Sequence, residues 1–391
     1  MRWHSYTRRR LSARRERLAR RAYSTRRIAS QARVVALAMA TTGVLGAGLA
    51  IAGPVGSASG YDLPVSFQHI KNINDSRVPC ESDGADYTVR GHLTGPRSAL
   101  AGPKEAEITL YLYGFDAGEW NWRFTVVPGY NFPAEMAAKG HMSLTIDMLG
   151  YGASGYPNGF QSCIGSQAAV THQIVQRLRN HEYTVDKAGV APISFQKVVL
   201  VGHDVGGAVA QIEAYSYKDI DALVVMTFAD QGFTPFVEEI FANRSLVCAQ
   251  GGEDAKPGGP GGYILFGPPD TEFREKLFFN AEEAVIDATL AQRERNPCGY
   301  LSSVLTVLAV DQARVPEVQV PVLLIYGEED PVLTRQGQDE QQSHFSGSSD
   351  KTTVRLANTG HFPMLERTVP VLRKVVSAWL CRRALVAIPC T

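Results

Sequence analysis

The sequence predicts an α/β protein, a doubly wound and mostly parallel sheet with one segment inserted over its edge. Three observations carry this. Apolar runs rich in Val, Ile and Leu, as long as strands buried on both faces, alternate with helix-length segments. One gap between such runs, from Asp230 to Val320, is far too long for a connection. A glycine-flanked turn at residues 202–207 separates a strand-like run from a helix-like one.

The chain has 391 residues, 45% of them hydrophobic and 20% charged, a globular balance with room for two or three domains. Its formal net charge of +0 conceals an asymmetry. Residues 1–33 hold twelve arginines against one acid, Glu16, a net of +11. The remainder has 27 basic and 38 acidic residues, a net of −11, which argues against general nucleic-acid binding.

Behind the basic arm, residues 34–53 form an uncharged stretch of twenty positions, rich in Ala, Gly and Thr. At about 1.5 Å per residue such a helix just spans a ~30 Å hydrocarbon core. Gly56-Ser57-Ala58 places small side chains where a signal peptidase cuts. Residues 1–58 are thus expected to be a basic n-region with a signal peptide, or else an uncleaved anchor, leaving the rest outside. The twin arginines Arg8-Arg9 and Arg26-Arg27 lack a matching export signal, so the route stays open.

All six cysteines follow the span: Cys80, Cys163, Cys248, Cys298, Cys381 and Cys390. An even number in an exported chain predicts disulfides, with fifteen pairings open. The expected set is Cys248–Cys298, tethering the inserted segment, the local Cys381–Cys390, and Cys80–Cys163 by remainder. No CxxC pair or HExxH motif occurs, so neither a metal nor a cofactor is expected.

Residues 87–95 alternate like an exposed strand. Buried-type runs follow at 108–114, 143–150, 197–202, 222–230 and 320–327, with helix-length segments at 165–181 and 204–217. The long gap holds a Gly/Pro-rich loop at 251–263 and helical-looking pieces at 272–294. The expected division is a core at 59–231, a cap at 232–316, and a second core part with a C-terminal tail at 317–391.

Directly after the run at 197–202 stands Gly202-His203-Asp204-Val205-Gly206-Gly207. Glycines on both sides allow a tight turn that exposes Asp204 above the sheet. The helix end beneath favours an anion, so the carboxylate is expected there. Gly150-x-Gly152-x-x-Gly155 fits a dinucleotide fingerprint, but Tyr156-Pro157-Asn158-Gly159 follows where a helix should open.

The elbow resembles that of the α/β-hydrolase superfamily, over residues 61 to 383. Tyr113-Gly114-Phe115 lies where many members carry His-Gly and complete an oxyanion hole. Asp147-Met148-Leu149-Gly150-Tyr151-Gly152-Ala153-Ser154 resembles the family's D-x-x-G-x-G-x-S turn. Asp330 stands in the usual place of the triad acid, with Asp230 as a rival. His361, in Asn358-Thr359-Gly360-His361-Phe362-Pro363, matches the loop of the triad base. The resemblance implies an α/β-hydrolase fold, Asp204, Asp330 and His361 as the catalytic set, and the N–H groups of Phe115 and Val205 as the oxyanion hole.

An aspartate at the elbow attacks sp³ carbon and forms an alkyl-enzyme ester, which a His361-activated water would hydrolyse. Such elbows resemble epoxide hydrolases and dehalogenases acting on small-molecule substrates. Val205 replaces the Trp or Arg that dehalogenases place after the nucleophile, so epoxide hydrolysis leads by elimination. Its proton donors are usually cap tyrosines, here Tyr263 and Tyr300, with Tyr113 on the core side. A dehalogenase, an esterase, a tailoring enzyme and a non-catalytic binding module are the alternatives.

Overall fold

The computed structural model describes residues 60–100 and 106–385. The basic arm, the apolar span, the expected cleavage site and Cys390 lie outside the described residues, so the export and Cys381–Cys390 expectations fall there. Among the described residues no helix is long and apolar enough to cross a membrane.

In chain order the strands are β1 (Tyr61–Lys71), β2 (Asp86–Gly95), β3 (Ala106–Leu112), β4 (Ser143–Asp147), β5 (Thr184–Val185) and β6 (Phe195–His203). Then come β7 (Ala222–Met226), β8 (Tyr263–Ile264), β9 (Asn296–Pro297), β10 (Val322–Gly327) and β11 (Lys351–Leu356). Nine of them form one sheet in the order β11-β10-β7-β6-β3-β4-β2-β1-β5. The six from β11 to β4 run parallel, whereas β2, β1 and β5 are antiparallel to their neighbours.

The central strands are apolar on both faces because helices cover both. Every residue of β4, β7 and β10 is buried. Nothing marks β1 as a continuous apolar run, but Tyr61, Leu63, Val65 and Phe67 alternate inward while Asp62 and Pro64 face out. One face of the sheet's antiparallel end is therefore wet.

The helices are α1 (Arg97–Leu100), α2 (Phe132–Ala137), α3 (Ile164–Arg179), α4 (Val205–Tyr217), α5 (Pro235–Ala249), α6 (Asp270–Leu277), α7 (Glu283–Gln292), α8 (Cys298–Arg314), α9 (Arg335–His344) and α10 (Val369–Cys381). Between β7 and β10 lie α5 to α8 and the small β8–β9 ladder. The helical pieces expected over 272–294 are two helices, α6 and α7, parted where the chain turns extended at Phe278. The reason lies outside the segment: the N–H groups of Phe279 and Asn280 donate to the buried carboxylate of Glu366 at 2.9 and 2.7 Å.

Two disulfides match the expected pairs. Cys80–Cys163 joins the turn after β1 to the start of α3. Cys248–Cys298 joins the last turn of α5 to the first residue of α8.

Candidate active site

The chain leaves β3 toward β4 on one side of the sheet and leaves β6 toward β7 on the other. At such a switch point the connections diverge and open a crevice at the carboxyl ends of the strands. The loop after β3 carries Gly114-Phe115-Asp116, and the turn after β6 carries Asp204. Strand order alone brings these two segments together.

Asp204 is forced into an uncommon backbone state, φ 51° and ψ −127°. A side chain on Gly202 would lie 2.1 Å from the carbonyl of Gly206, and one on Gly206 would lie 2.5 Å from that of Tyr113. Only glycines permit this elbow. Asp204 does not cap its own helix through its side chain. Instead its Oδ2 accepts the N–H of Phe115 at 2.8 Å, leaving Oδ1 turned toward His361, and the N–H of Val205 adds to the pull on the carboxylate. Gly114 has no alternative either, since a Cβ there would stand 2.5 Å from the Asp204 Cβ.

His361 Nε2 lies 4.0 Å from Asp204 Oδ1, too far for a direct hydrogen bond. Its Nδ1 lies 3.0 and 3.1 Å from the two oxygens of Asp330, which also accepts the N–H of Val332. The structure thus brings Asp204, His361 and Asp330 into one line. Asp230, the rival acid, is buried elsewhere and binds Gln211 and His344, not His361.

Burial works against charge on both partners of the pair. It lowers the tendency of His361 to hold a proton, but the carboxylates of Asp330 and then Asp204 outweigh it and raise its pKa. For Asp204 burial is again the largest influence and raises its pKa, against the opposing pull of His361 and the two N–H groups.

The cavity over Asp204 has two lobes of about 40 Å³ each, sharing Phe115, Val237, Phe266 and Val332. Its walls are almost wholly apolar. Asp116, Asp204 and His361 are the ionisable side chains that line it, and no tyrosine does. The three candidate proton donors are buried outside it. Tyr263 donates its hydroxyl to the carbonyl of Pro157, Tyr113 accepts the N–H of Met148, and Tyr300 meets Phe115 only ring edge to face. Tyr113, Tyr151 and Tyr300 pack into one aromatic cluster.

Two residues that sequence reasoning missed hold the site in shape. Asp116 accepts the N–H groups of Phe266 and Gly267 at 2.7 and 2.8 Å, together with Asn296 Nδ2 and the Arg293 guanidinium. It ties the loop after β3 to the inserted segment. Glu366 accepts the N–H of Gly360, beside His361, as well as those of Phe279 and Asn280. Neither sits in a local pattern, so only the tertiary contacts disclose it. Asp147, in the turn resembling D-x-x-G-x-G-x-S, accepts the N–H groups of Glu119 and Ala153, a structural duty. No helix opens after Gly155, where a dinucleotide fingerprint would need one.

A sequence profile of the alpha/beta hydrolase family matches residues 113–373. Among curated proteins, the chain is similar to Epoxide hydrolase 3 of Xenopus tropicalis, 23% identical over 278 residues and covering 66% of either chain. The match thus spans just under two thirds of that relative's length. Among solved structures it is similar to a thermophilic esterase from Thermogutta terrifontis, at TM-score 0.55 and 17% identity, covering 82% of this chain and 99% of that one. It is also similar to the epoxide hydrolase CorEH, at TM-score 0.50 and 15% identity, with 82% and 99% covered. Likenesses this distant concern the fold.

Proposed function

From the premise that the chain belongs to the alpha/beta hydrolase family, we propose that this hydrolase opens a small apolar epoxide through a covalent ester on Asp204. The division of labour between the two oxygens of Asp204 carries the reading. One accepts the backbone N–H of Phe115 and the other faces the cavity beside the imidazole. In a hydrolase with a neutral nucleophile the oxyanion hole serves the substrate's carbonyl. Here the nucleophile's own oxygen fills it, so the hole serves the ester formed on the enzyme.

In the first step Asp204 Oδ1 bonds to a ring carbon and the carbon–oxygen bond of the epoxide breaks. The opening oxygen needs a proton. His361, whose pKa is raised by Asp330 and Asp204, is the acid in the lining that supplies it. Neutral afterwards, His361 takes a proton from water, and hydroxide attacks the Asp204 carboxyl carbon. The oxyanion on Oδ2 meets the N–H groups of Phe115 and Val205, a contribution of roughly 3 kcal/mol per donor. Collapse releases the diol and restores the ion pair.

The lining disfavours the dehalogenase alternative. Among the described residues it contains no Trp, Asn or Gln side chain to hold a departing halide. The relative named Epoxide hydrolase 3 points the same way. The helices of residues 232–316 act as the cap that closes this cavity, in our reading, and Asp116 is its anchor. Export is part of the proposal too, supported by two disulfides and the change of charge sign across residues 34–53.

The test uses His361→Gln with epoxides, haloalkanes and aryl esters. Glutamine cannot supply the proton, so ring opening slows and the alkoxide takes its proton from solvent water; nor can it draw a proton from the water that hydrolyses the ester, so the second step suffers more. An epoxide-derived mass adduct should therefore accumulate on the peptide holding Asp204. Adducts from haloalkanes alone would favour the dehalogenase, and ester turnover without any adduct would reject the covalent carbon-attack reading.

A further inference from the structure

Far from the cavity, α3 and α4 pack side by side and bury an unsatisfied polar cluster. His172 comes from α3 and Glu213 from α4, while Asp219 lies just beyond the end of α4. Lys218, in the left-handed conformation at φ 58°, turns the chain so that Asp219 returns to the helix pair. One ligand atom from each of the three residues lies within 4.8 Å of the other two.

The cluster lacks partners. Glu213 is fully buried, yet neither of its carboxylate oxygens has a hydrogen-bond donor. Asp219 Oδ1 is likewise unmatched. His172 Nδ1 lies 2.9 Å from Asp219 Oδ2 but out of line for a hydrogen bond. The nearby Arg179 does not resolve this, because its guanidinium is taken up by the Gln196 and Asp219 carbonyls and the Asp221 carboxylate. Gln176 supplies one donor, to Asp219 Oδ2. Orphaned buried acceptors converging at one point are costly unless something positive joins them.

We propose that His172, Glu213 and Asp219 bind a divalent transition-series cation, zinc being the type that fits best. One imidazole nitrogen and two carboxylates suit zinc, whereas calcium would require six or more oxygens. Closing on an ion at about 2.0–2.2 Å asks each ligand atom to move by less than about 1 Å. The side chains of His172 and Asp219 remain 27% and 18% exposed, which leaves the ion a way in and water a fourth position. The ion would pin α3 to α4, the helix that carries the nucleophile's elbow. His172, Glu213 and Asp219 form no spaced motif in sequence, so only the fold assembles the site.

Without the ion a proton takes its place. Burial first, and the facing Asp219 second, push the Glu213 carboxyl well above its usual range. Asp219 stays ionised: burial opposes its charge, but His172 and Glu213 bring its pKa down to about 2.

The experiment is calorimetric titration of zinc chloride into the disulfide-intact full chain after chelator treatment. One saturable site is expected. Glu213→Gln should weaken binding at least about tenfold. Because Glu213 is buried, the half-exposed His172→Gln is the second variant and should do the same while folding normally. No saturable uptake up to millimolar zinc would overturn the proposal and leave a shared proton as the cluster's only cation. Undiminished binding in both variants would overturn it as well, since the zinc would then sit elsewhere.

Discussion

His203 donates its Nε2 proton to the backbone carbonyl of His361 at 2.8 Å, so the residue before the elbow aspartate holds the loop that carries the imidazole. The bond requires His203 neutral or protonated on both nitrogens, and its surroundings exclude the latter. Burial, then the neighbouring His361, lowers its pKa to about 3.

That depression has a definite sign for stability. Above the ordinary value of 6.5 both folded and unfolded chains carry His203 neutral, and it contributes no pH dependence. Between 6.5 and about 3 the unfolded chain binds the proton and the folded one does not. Stability falls there as acid is added, by up to about 1.4 kcal/mol per pH unit. His203→Gln, which keeps a donor near Nε2, should show a shallower fall between pH 6 and pH 4 in urea unfolding. An unchanged slope would mean that His203 is protonated in the folded protein.

Asp116 and Arg293 form a buried ion pair, with side chains 1% and 5% exposed. Removing one partner of such a pair typically costs about 3–5 kcal/mol. Arg293 also meets the exposed Asp270, which softens the loss, but the N–H groups of Phe266 and Gly267 would be orphaned. Asp116→Ala should therefore cost about 3 kcal/mol in denaturant unfolding. Asp116→Asn, still able to accept, should cost less than half as much. Equal losses would indicate that the charge, rather than the accepted hydrogen bonds, holds the loop.

What the sequence discloses and what it hides divide along the range of the interactions. Gly202, Gly206 and Asp204 are legible because the turn is local and sterically demanding. The central strands are legible because burial on both faces leaves unbroken apolar runs. β1 escapes such a reading, since Pro64 and Asp62 interrupt a strand with one wet face. Choosing Asp330 over Asp230 beside His361 requires the strand ends themselves, as both acids follow apolar runs. Chain position within or beside residues 232–316 says nothing of whether a tyrosine hydroxyl turns toward Asp204 or, like that of Tyr263, toward a carbonyl. Asp116 and Glu366 act on backbone N–H groups remote in sequence, and no spacing encodes that.

The Cys248–Cys298 bridge spans a sequence separation of 50 residues. On the loop-entropy model a closure of that length stabilises by about 4 kcal/mol. The segment it closes includes the Gly/Pro-rich loop 251–263, which has little core of its own. Cys248→Ser with Cys298→Ser should lower the unfolding free energy by about that amount, and limited proteolysis should then cut first within 251–263. Wild-type stability in the double variant would show that packing of α5 and α8 suffices.

The central claim, attack on carbon by Asp204, is tested most directly by following oxygen through one turnover in ¹⁸O-water. An epoxide is mixed with excess enzyme, and both the diol and the peptide holding Asp204 are weighed. If Oδ1 forms the new bond, the diol's added oxygen comes from the carboxylate and carries no label. The water attacks the carboxyl carbon, so the label appears in Asp204. Unlabelled diol with labelled Asp204 is the result predicted. Labelled diol with unlabelled Asp204 would mean that water attacks the epoxide directly, with Asp204 as its base, and would contradict the covalent account.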